Sequence, residues 1–321
     1  MNKQPLLLVL TDSAHPQSDR QLRMLADLPH VFASSQDAVH STRDAEAILH
    51  WSGSHELLRV AFLASPKVRW VHSRSAGVDR LLFPELIQSP VPLTNGSGVF
   101  SPSLGEFALA AILYFAKDLR RMLRNQEAGR WEQFDVEEVA GQTVGIVGYG
   151  DIGCAVAGRV HAMGMQVLAL KRHAPASADP LIARFYKPDE LIAMLAECDF
   201  VVVTAPLTPE THHMIGAAAF AAMKPNAVII NIGRGPVIDQ AAMVRALTEG
   251  KIKGAGLDVF EQEPIPTGDP IYKLDNVLIS PHCADHTRDW LNQAMRFFLE
   301  QYDRFSNGRP LANVVEKHLG Y

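Results

Sequence analysis

Three side chains stand out as able to do chemistry together: Arg234 in Asn-Ile-Gly-Arg-Gly-Pro, Glu263 in Asp-Val-Phe-Glu-Gln-Glu-Pro and His282 in Ser-Pro-His-Cys. A guanidinium is a planar fork that grips a carboxylate with two parallel hydrogen bonds. An imidazole can give or take a proton near neutral pH, and a carboxylate beside it orients the ring and favours its charged form. The set can therefore hold a carboxylate-bearing carbonyl compound and move a proton at its carbonyl oxygen. Taken singly, each residue has a plainer reading, Arg234 and Glu263 as a surface ion pair and His282 as a core histidine. His282 and His286, four apart, with Glu263 also suggest a metal site. Pro281 and the polar run after it promise no helix to align the two rings, and a third nitrogen or thiolate is lacking, so no metal is expected.

A second pattern supplies a possible partner for that chemistry. Gly148-Tyr149-Gly150-Asp151-Ile152-Gly153 matches G-x-G-x-x-G. It directly follows the apolar run Thr143 to Val147 and opens a stretch with helical periodicity (Ile152, Val156, Val160, Met163), before another strand from Gln166. In that setting the first glycine makes a tight turn, the second lets a pyrophosphate approach the backbone, and the third lets helix pack on strand. At the end of the second strand, where a carboxylate would bind the ribose hydroxyls of NAD, the chain has Lys171, Arg172 and His173. A Lys-Arg pair attracts a 2′-phosphate, so NADP(H) is the expected coenzyme, with NAD(H) possible. With a nicotinamide near Arg234, Glu263 and His282, the set suffices for hydride transfer to a 2-oxo acid. Cys154, in the first helical turn, reads as a small packing residue, and Cys283 beside His282 as more open to oxidation.

These residues need elements to position them. The first hundred residues alternate short apolar runs (Leu6 to Leu10, His30 to Ala33, Ala47 to Trp51, Trp70 to His72, Pro92 to Thr94) with amphipathic stretches, the rhythm of βα units and a mostly parallel sheet. A second series comprises Thr143 to Val147, Gln166 to Leu170, Phe200 to Thr204, Ala227 to Ile232, Gly256 to Phe260 and Asn276 to Ser280. Its nearly all-apolar strands are of the kind covered on both faces. Arg234, Glu263 and His282 each follow one of these strands, and ligands of open α/β sheets bind outside the carboxyl ends.

Between the series lies Asn95-Gly-Ser-Gly98, a flexible break. It is followed by a helical segment, Ser103 to Arg124, apolar on nearly every face from Phe107 to Phe115, which implies a partner surface. Trp290 to Phe305 reads as an amphipathic helix returning to the first domain. The expected organisation is therefore a discontinuous domain of residues 1–98 and 288–321 around a dinucleotide-binding domain of residues 99–287.

The 321 residues carry 30 basic and 35 acidic side chains, a net charge of −5, so neither nucleic acid nor an anionic membrane is an expected partner. Three widely spaced cysteines without a C-x-x-C pair suggest reduced thiols and a cytoplasmic location. The run Leu6 to Leu10 is too short for a signal-peptide core.

Several motifs, in order, make the chain resemble the D-isomer-specific 2-hydroxyacid dehydrogenases: Gly145 to Gly153, Ala205-Pro-Leu-Thr-Pro-Glu-Thr211, Asn231-Ile-Gly-Arg-Gly-Pro-Val-Ile-Asp239, Gly256-Leu-Asp-Val-Phe-Glu-Gln-Glu-Pro264 and Ser280-Pro-His282. The resemblance implies an α/β fold of two doubly wound parallel-sheet domains, a Rossmann coenzyme domain inserted into a flavodoxin-like substrate domain. It places Arg234, Glu263 and His282 on the catalytic triad and Asp258 against the nicotinamide carboxamide. It extends the coenzyme contacts from Gly148 to Gly153, Lys171 and Arg172 to Ala205, Pro206, Ile232, Gly233, Arg234, Asp258 and His282. The loop Ser75-Ala76-Gly77-Val-Asp79 is similar to the family's substrate loop, whose amides hold the substrate carboxylate with Arg234 and His282. The implied activity is reduction of small 2-oxo acids, glyoxylate and hydroxypyruvate first, by a homodimer whose domains close on substrate. A dinucleotide-sensing corepressor on the same fold and an NAD-linked D-lactate-type dehydrogenase are the alternatives. Cys283, Asp285 and His286 depart from the small residues common after the family's histidine and bear on substrate choice.

Overall fold

The computed structural model describes residues 4–13, 15–16, 19–39, 42–173 and 177–321. In chain order the strands are β1 (Leu7–Leu10), β2 (His30–Ala33), β3 (Ala47–His50), β4 (Trp70–Ser73), β5 (Leu93–Thr94), β6 (Thr143–Val147), β7 (Gln166–Leu170), β8 (Arg184–Tyr186), β9 (Phe200–Val203), β10 (Val228–Asn231), β11 (Gly254–Leu257) and β12 (Val277–Ile279). The helices are α1 (Gln36–Val39), α2 (His55–Ala64), α3 (Pro84–Gln88), α4 (Ser101–Ala116), α5 (Leu119–Glu127), α6 (Asp151–Ala162), α7 (Leu191–Glu197), α8 (Ala217–Ala222), α9 (Gln240–Thr248) and α10 (Trp290–Ser306). Among the described residues no helix is long and apolar enough to cross a membrane.

The chain divides into two compact units, one formed by the residues up to Phe100 with Arg288–Tyr321, the other by Ser101–Thr287. In the first, the sheet order is β2-β1-β3-β4-β5 and every pairing is parallel. This is the flavodoxin-like winding, which reverses direction between β1 and β3 and opens a crevice beyond their carboxyl ends. β1 and β4 are buried throughout, as strands sandwiched between helices must be. α10 covers one face: Phe298 stacks on Trp70 with ring centroids 5.6 Å apart, and the Tyr302 hydroxyl donates to the Pro5 carbonyl at 2.5 Å.

The larger unit has seven parallel strands in the order β12-β11-β10-β9-β6-β7-β8, the doubly wound Rossmann order with its switch between β6 and β9. The edge strand β8 is only three residues long, which is why its apolar signal escapes the sequence. β11 ends at Leu257 and not at Phe260, so Asp258 lies in the following loop.

The helix expected from Ser103 to Arg124 is in fact two, α4 and α5. Asp118 takes a left-handed conformation (φ +46°) and its carboxylate accepts the Arg121 N–H, capping a new helix. The apolar surface of α4 is largely covered within its own unit. Gly105 lets it lie close on α6, where a Cβ would come within 3.0 Å of the Ala155 carbonyl, and Gly254 and Gly256 make room for Phe115 and Ala111. Cys154 corrects another expectation: α6 turns it outward, and it is exposed rather than packed.

Candidate active site

Arg234, Glu263 and His282 follow β10, β11 and β12, which lie side by side, so one end of the sheet carries all three. Asn231 shapes the first loop, its amide donating to the Arg234 carbonyl at 3.0 Å while its carbonyl oxygen accepts the Gly233 N–H at 3.1 Å. The Arg234 guanidinium donates to the Gly233 carbonyl at 2.8 Å. Gly235 is pressed against the next loop so closely that a Cβ would fall 1.9 Å from the Phe260 carbonyl carbon. The Arg234 loop and the loop leading to Glu263 are thus in contact.

Glu263 and His282 are joined directly, Nδ1 of the ring lying 2.8 Å from Oε2. The other carboxylate oxygen accepts the Phe260 N–H at 3.0 Å, which fixes the side chain. A carboxylate can only accept, so Nδ1 carries the hydrogen and Nε2 is the atom offered outward. His282 itself sits at φ +52°, a costly conformation for a side chain with a Cβ, and its loop is braced to hold it. The brace is Asp258, 2% exposed, whose Oδ1 accepts from Ser280 Oγ (2.5 Å), Cys283 N–H (2.9 Å) and Ala284 N–H (3.1 Å). The buried contacts of Asp258 are therefore with the His282 loop.

Beyond His282, Cys283 is exposed, and Asp285 and His286 are 3.6 Å apart. Burial, and the charge of Asp258, push the Asp285 carboxyl above its ordinary range, while His286 and His282 oppose them.

The glycine motif has the shape its spacing implies. Gly148 (φ +99°) makes the turn, and a Cβ there would strike Ala205 N at 2.6 Å. At Gly153 a Cβ would lie 2.6 Å from the Gly148 carbonyl, so only glycine lets α6 pack on its strand. Around Gly150 nothing comes within 4 Å of such a Cβ. That open approach to the N-terminus of a 12-residue helix fits a pyrophosphate. Thr204 Oγ1 ties β9 to the turn by donating to the Gly148 carbonyl. Ala205, Ile232 and Gly233 are buried beside it, Gly233 with room for no Cβ beyond 2.9 Å from the Ala205 carbonyl, and Pro206 is half-buried.

At the end of β7 the Lys171 ammonium lies 5.8 Å from the centre of the Tyr149 ring, and the Tyr149 hydroxyl donates to Asp179 at 2.7 Å. Burial first, and Asp179 next, drive the Tyr149 phenol upward in pKa. The Leu181 N–H, then Tyr149 and the Lys171 charge, hold the Asp179 carboxyl low. Arg172 is 3.8 Å from Glu210. Asp179 and Glu210 were missed in the sequence. Glu210 lies within the Ala205 to Thr211 motif, but nothing local marks Asp179.

On the smaller unit, Ser75, Ala76 and Gly77 follow β4. Gly96 N–H donates to the Ser75 carbonyl (3.1 Å) and the Asn95 amide to the Ala76 carbonyl (2.6 Å). Among the described residues the N–H groups of Ala76 and Gly77 donate to no protein acceptor, which suits them to an anion.

A Rossmann unit with an open glycine turn at a helix N-terminus and a histidine–carboxylate pair at its strand ends has the architecture of the dinucleotide-dependent oxidoreductases. Residues 109–284 match the model for the NAD binding domain of D-isomer specific 2-hydroxyacid dehydrogenases. A glyoxylate reductase of Korarchaeum cryptofilum is 36% identical over 264 residues, 80% of this chain and 79% of that protein. Glyoxylate/hydroxypyruvate reductase B of an Enterobacter species is 35% identical over 276 residues, 83% and 84% of the two chains. Among solved structures, the NADPH-dependent glyoxylate/hydroxypyruvate reductase of Sinorhizobium meliloti, in complex with NADP and sulfate, is similar with a TM-score of 0.85 at 28% identity, covering 99% of this chain and 100% of that one. A D-isomer specific 2-hydroxyacid dehydrogenase from Xanthobacter autotrophicus, in complex with NADPH and MES, gives 0.84 at 30% identity, with 99% and 100% covered. The chain belongs to the D-isomer specific 2-hydroxyacid dehydrogenase family: it is an oxidoreductase whose coenzyme is a nicotinamide dinucleotide.

Proposed function

We propose that the protein is an NADP(H)-preferring reductase of small 2-oxo acids, glyoxylate and hydroxypyruvate first, and in reverse a D-2-hydroxyacid dehydrogenase. The observation that carries this reading is the 2.8 Å His282–Glu263 pair, which joins the ends of β12 and β11, with β11 lying next to β10, the strand that bears Arg234. Two relatives named as glyoxylate or hydroxypyruvate reductases support the substrate class.

A reduced nicotinamide held in this cleft would supply the hydride that reduces the carbonyl carbon. Arg234 pairs with the substrate carboxylate, and its fork fixes the plane of the carbonyl. His282, charged, donates the Nε2 proton to the carbonyl oxygen, while Glu263 keeps Nδ1 protonated and the ring oriented. Asp258 holds the His282 loop in its left-handed turn, and its remaining oxygen would be the acceptor for the nicotinamide carboxamide. The amides of Ala76 and Gly77 are donors for a carboxylate on the smaller unit. Gly148 to Gly153, Ala205, Pro206, Ile232 and Gly233 line the coenzyme cleft. Lys171 and Arg172 attract the 2′-phosphate, with Asp179 and Glu210 as the competing charges beside them.

A panel of 2-oxo acids assayed with NADPH and with NADH tests the reading. Rapid NADPH oxidation with glyoxylate or hydroxypyruvate is expected; tight coenzyme binding without turnover would overturn it in favour of a sensor. Replacing Lys171 by Asp together with Arg172 by Ser should weaken NADPH at least tenfold relative to NADH, since each charge-assisted contact is worth about 1.5 to 3 kcal/mol. Equal use of both coenzymes by the unaltered enzyme would defeat the NADP preference. The half-buried apolar side chains of α4 (Phe107, Leu113, Tyr114) are the surface proposed for a homodimer; sedimentation as a monomer at micromolar concentration would refute it.

A further inference from the structure

Tyr149 stands between Gly148 and Gly150 of the coenzyme turn, and its N–H donates to the Leu170 carbonyl at 3.3 Å, which ties it to the end of β7. Its ring is buried, edge-on to Phe185 of β8 with centroids 5.5 Å apart. The hydroxyl donates to Asp179 Oδ2 at 2.7 Å, and the Leu181 N–H donates to Oδ1 at 3.0 Å. The Lys171 ammonium lies 5.8 Å from the centre of the same ring. A carboxylate from the chain between β7 and β8 is thereby fixed at the end of β7. The Leu181 N–H, then the Tyr149 hydroxyl and the Lys171 charge, keep it ionised.

In a Rossmann unit the adenosine ribose is read at the end of the second strand. There a carboxylate accepts from the ribose hydroxyls of NAD, and a cation pairs with the 2′-phosphate of NADP. Position 171 holds the cation, and folding brings a carboxylate to it from further along the chain, so both kinds of group stand at one subsite. Among the described residues each oxygen of Asp179 accepts one hydrogen bond, and the side chain is only half-buried. An ionised carboxylate has about four lone-pair sites, which leaves capacity for hydroxyl donors of a ligand. A loop brace alone would be served by any acceptor; the charge beside Lys171 is what a phosphate would meet.

We infer that Asp179, aimed by Tyr149, is a coenzyme-specificity residue: its carboxylate accepts from the adenosine ribose hydroxyls of NAD(H) and repels the 2′-phosphate of NADP(H), so that both coenzymes bind and the NADP preference is held down. The inference rests on the dinucleotide reading of the Gly148 to Gly153 turn. One carboxylate acts in opposite directions on two ligands that differ only in that phosphate, and a loss of packing would not do so.

The test measures the equilibrium Kd of NADPH and of NADH by calorimetry, without substrate, in the unaltered protein, Asp179→Asn and Tyr149→Phe, with melting temperatures alongside. Asparagine keeps the size and one acceptor and loses the charge. NADH should then weaken by about tenfold, the low end for hydrogen bonds to a charged group. NADPH should tighten by about threefold, the relief of repulsion between charges open to solvent. That gain should vanish at about 1 M salt, where the Debye length is about 3 Å. Tyr149→Phe removes the hydroxyl that aims the carboxylate and leaves its charge, so NADH should weaken by about threefold or more and NADPH stay within about twofold. This variant decides the matter if Asp179→Asn does not fold. Equal changes for the two coenzymes in either variant, or an NADH affinity that does not move, would overturn the inference. Should Lys171→Asp with Arg172→Ser leave NADPH selectivity intact, the NADP preference falls while the Asp179→Asn result still decides this inference. Failure of the unaltered protein to bind either coenzyme would overturn the functional reading and this inference with it.

Discussion

Replacing Glu263 by Gln isolates the acid/base pair, because the two side chains have the same size and differ in what each end can do. Glu263 accepts at both oxygens, from Phe260 N–H at 3.0 Å and from His282 Nδ1 at 2.8 Å. Glutamine has one acceptor and one donor end. The carbonyl end must face the Phe260 N–H, since two donors cannot share that contact, so the NH2 end faces Nδ1. The ring is then confined to the neutral tautomer with its hydrogen on Nε2, and a second proton at Nδ1 would meet a donor. The lost charge-assisted hydrogen bond is worth about 1.5 to 3 kcal/mol, or about ten- to hundredfold in rate. Oxidation of the 2-hydroxy acid should fall as well, because Nε2 no longer has a lone pair to accept the proton. Single-turnover hydride transfer, followed by NADPH absorbance in both directions, reads this loss, and the melting temperature should move by no more than a few degrees. A Glu263→Gln enzyme within threefold of the unaltered rate in both directions would refute the assigned roles.

Three further outcomes are expected. Gly150→Ala places a methyl where nothing lies within 4 Å, so stability should hardly change while dinucleotide affinity falls, measured by calorimetry; unchanged affinity would separate the motif from the coenzyme. Burial pushes the Cys198 thiol up to about 12, whereas Cys154 and Cys283 are exposed, so a thiol reagent at pH 8 should modify two cysteines quickly and the third only after unfolding. His72 is fully buried and its pKa is lowered from 6.5 to about 3, so the unfolded chain takes up more protons across that window. Stability should therefore fall as pH drops below 6.5, by up to about 1.4 kcal/mol per pH unit from this group, and be fully present above 6.5. Urea unfolding at pH 7.5 and pH 5 should show a smaller loss in His72→Phe, and equal losses would show that His72 is not the cause.

The fold class and the framework of the site are legible in the order of residues along the chain. Runs such as Phe200 to Val203 are apolar at every position, which only a strand covered on both faces requires, and their regular spacing dictates parallel βα winding. Gly148, Gly150 and Gly153 are legible because each answers a local need: a positive φ, an open approach, a close helix-to-strand contact. Arg234, Glu263 and His282 are legible because each follows such a strand within a few residues. The rest depends on which strand ends become neighbours once the chain folds. Asp118 splits the apolar helix by capping a new one, and α4 then covers its own sheet, which its composition alone does not reveal. Asp258 serves the His282 loop across 22 residues of sequence through its bond to Ser280. The carboxylates Asp179 and Glu210 meet Tyr149 and Arg172 through folding alone. Trp51, Arg74 and Trp290 carry no common motif and converge because β3 and β4 end, and α10 begins, at the same end of one unit. Local propensity is written in neighbouring residues, whereas the chemistry of a cation between two rings is set by long-range packing, and there the sequence names the residues without saying that they meet.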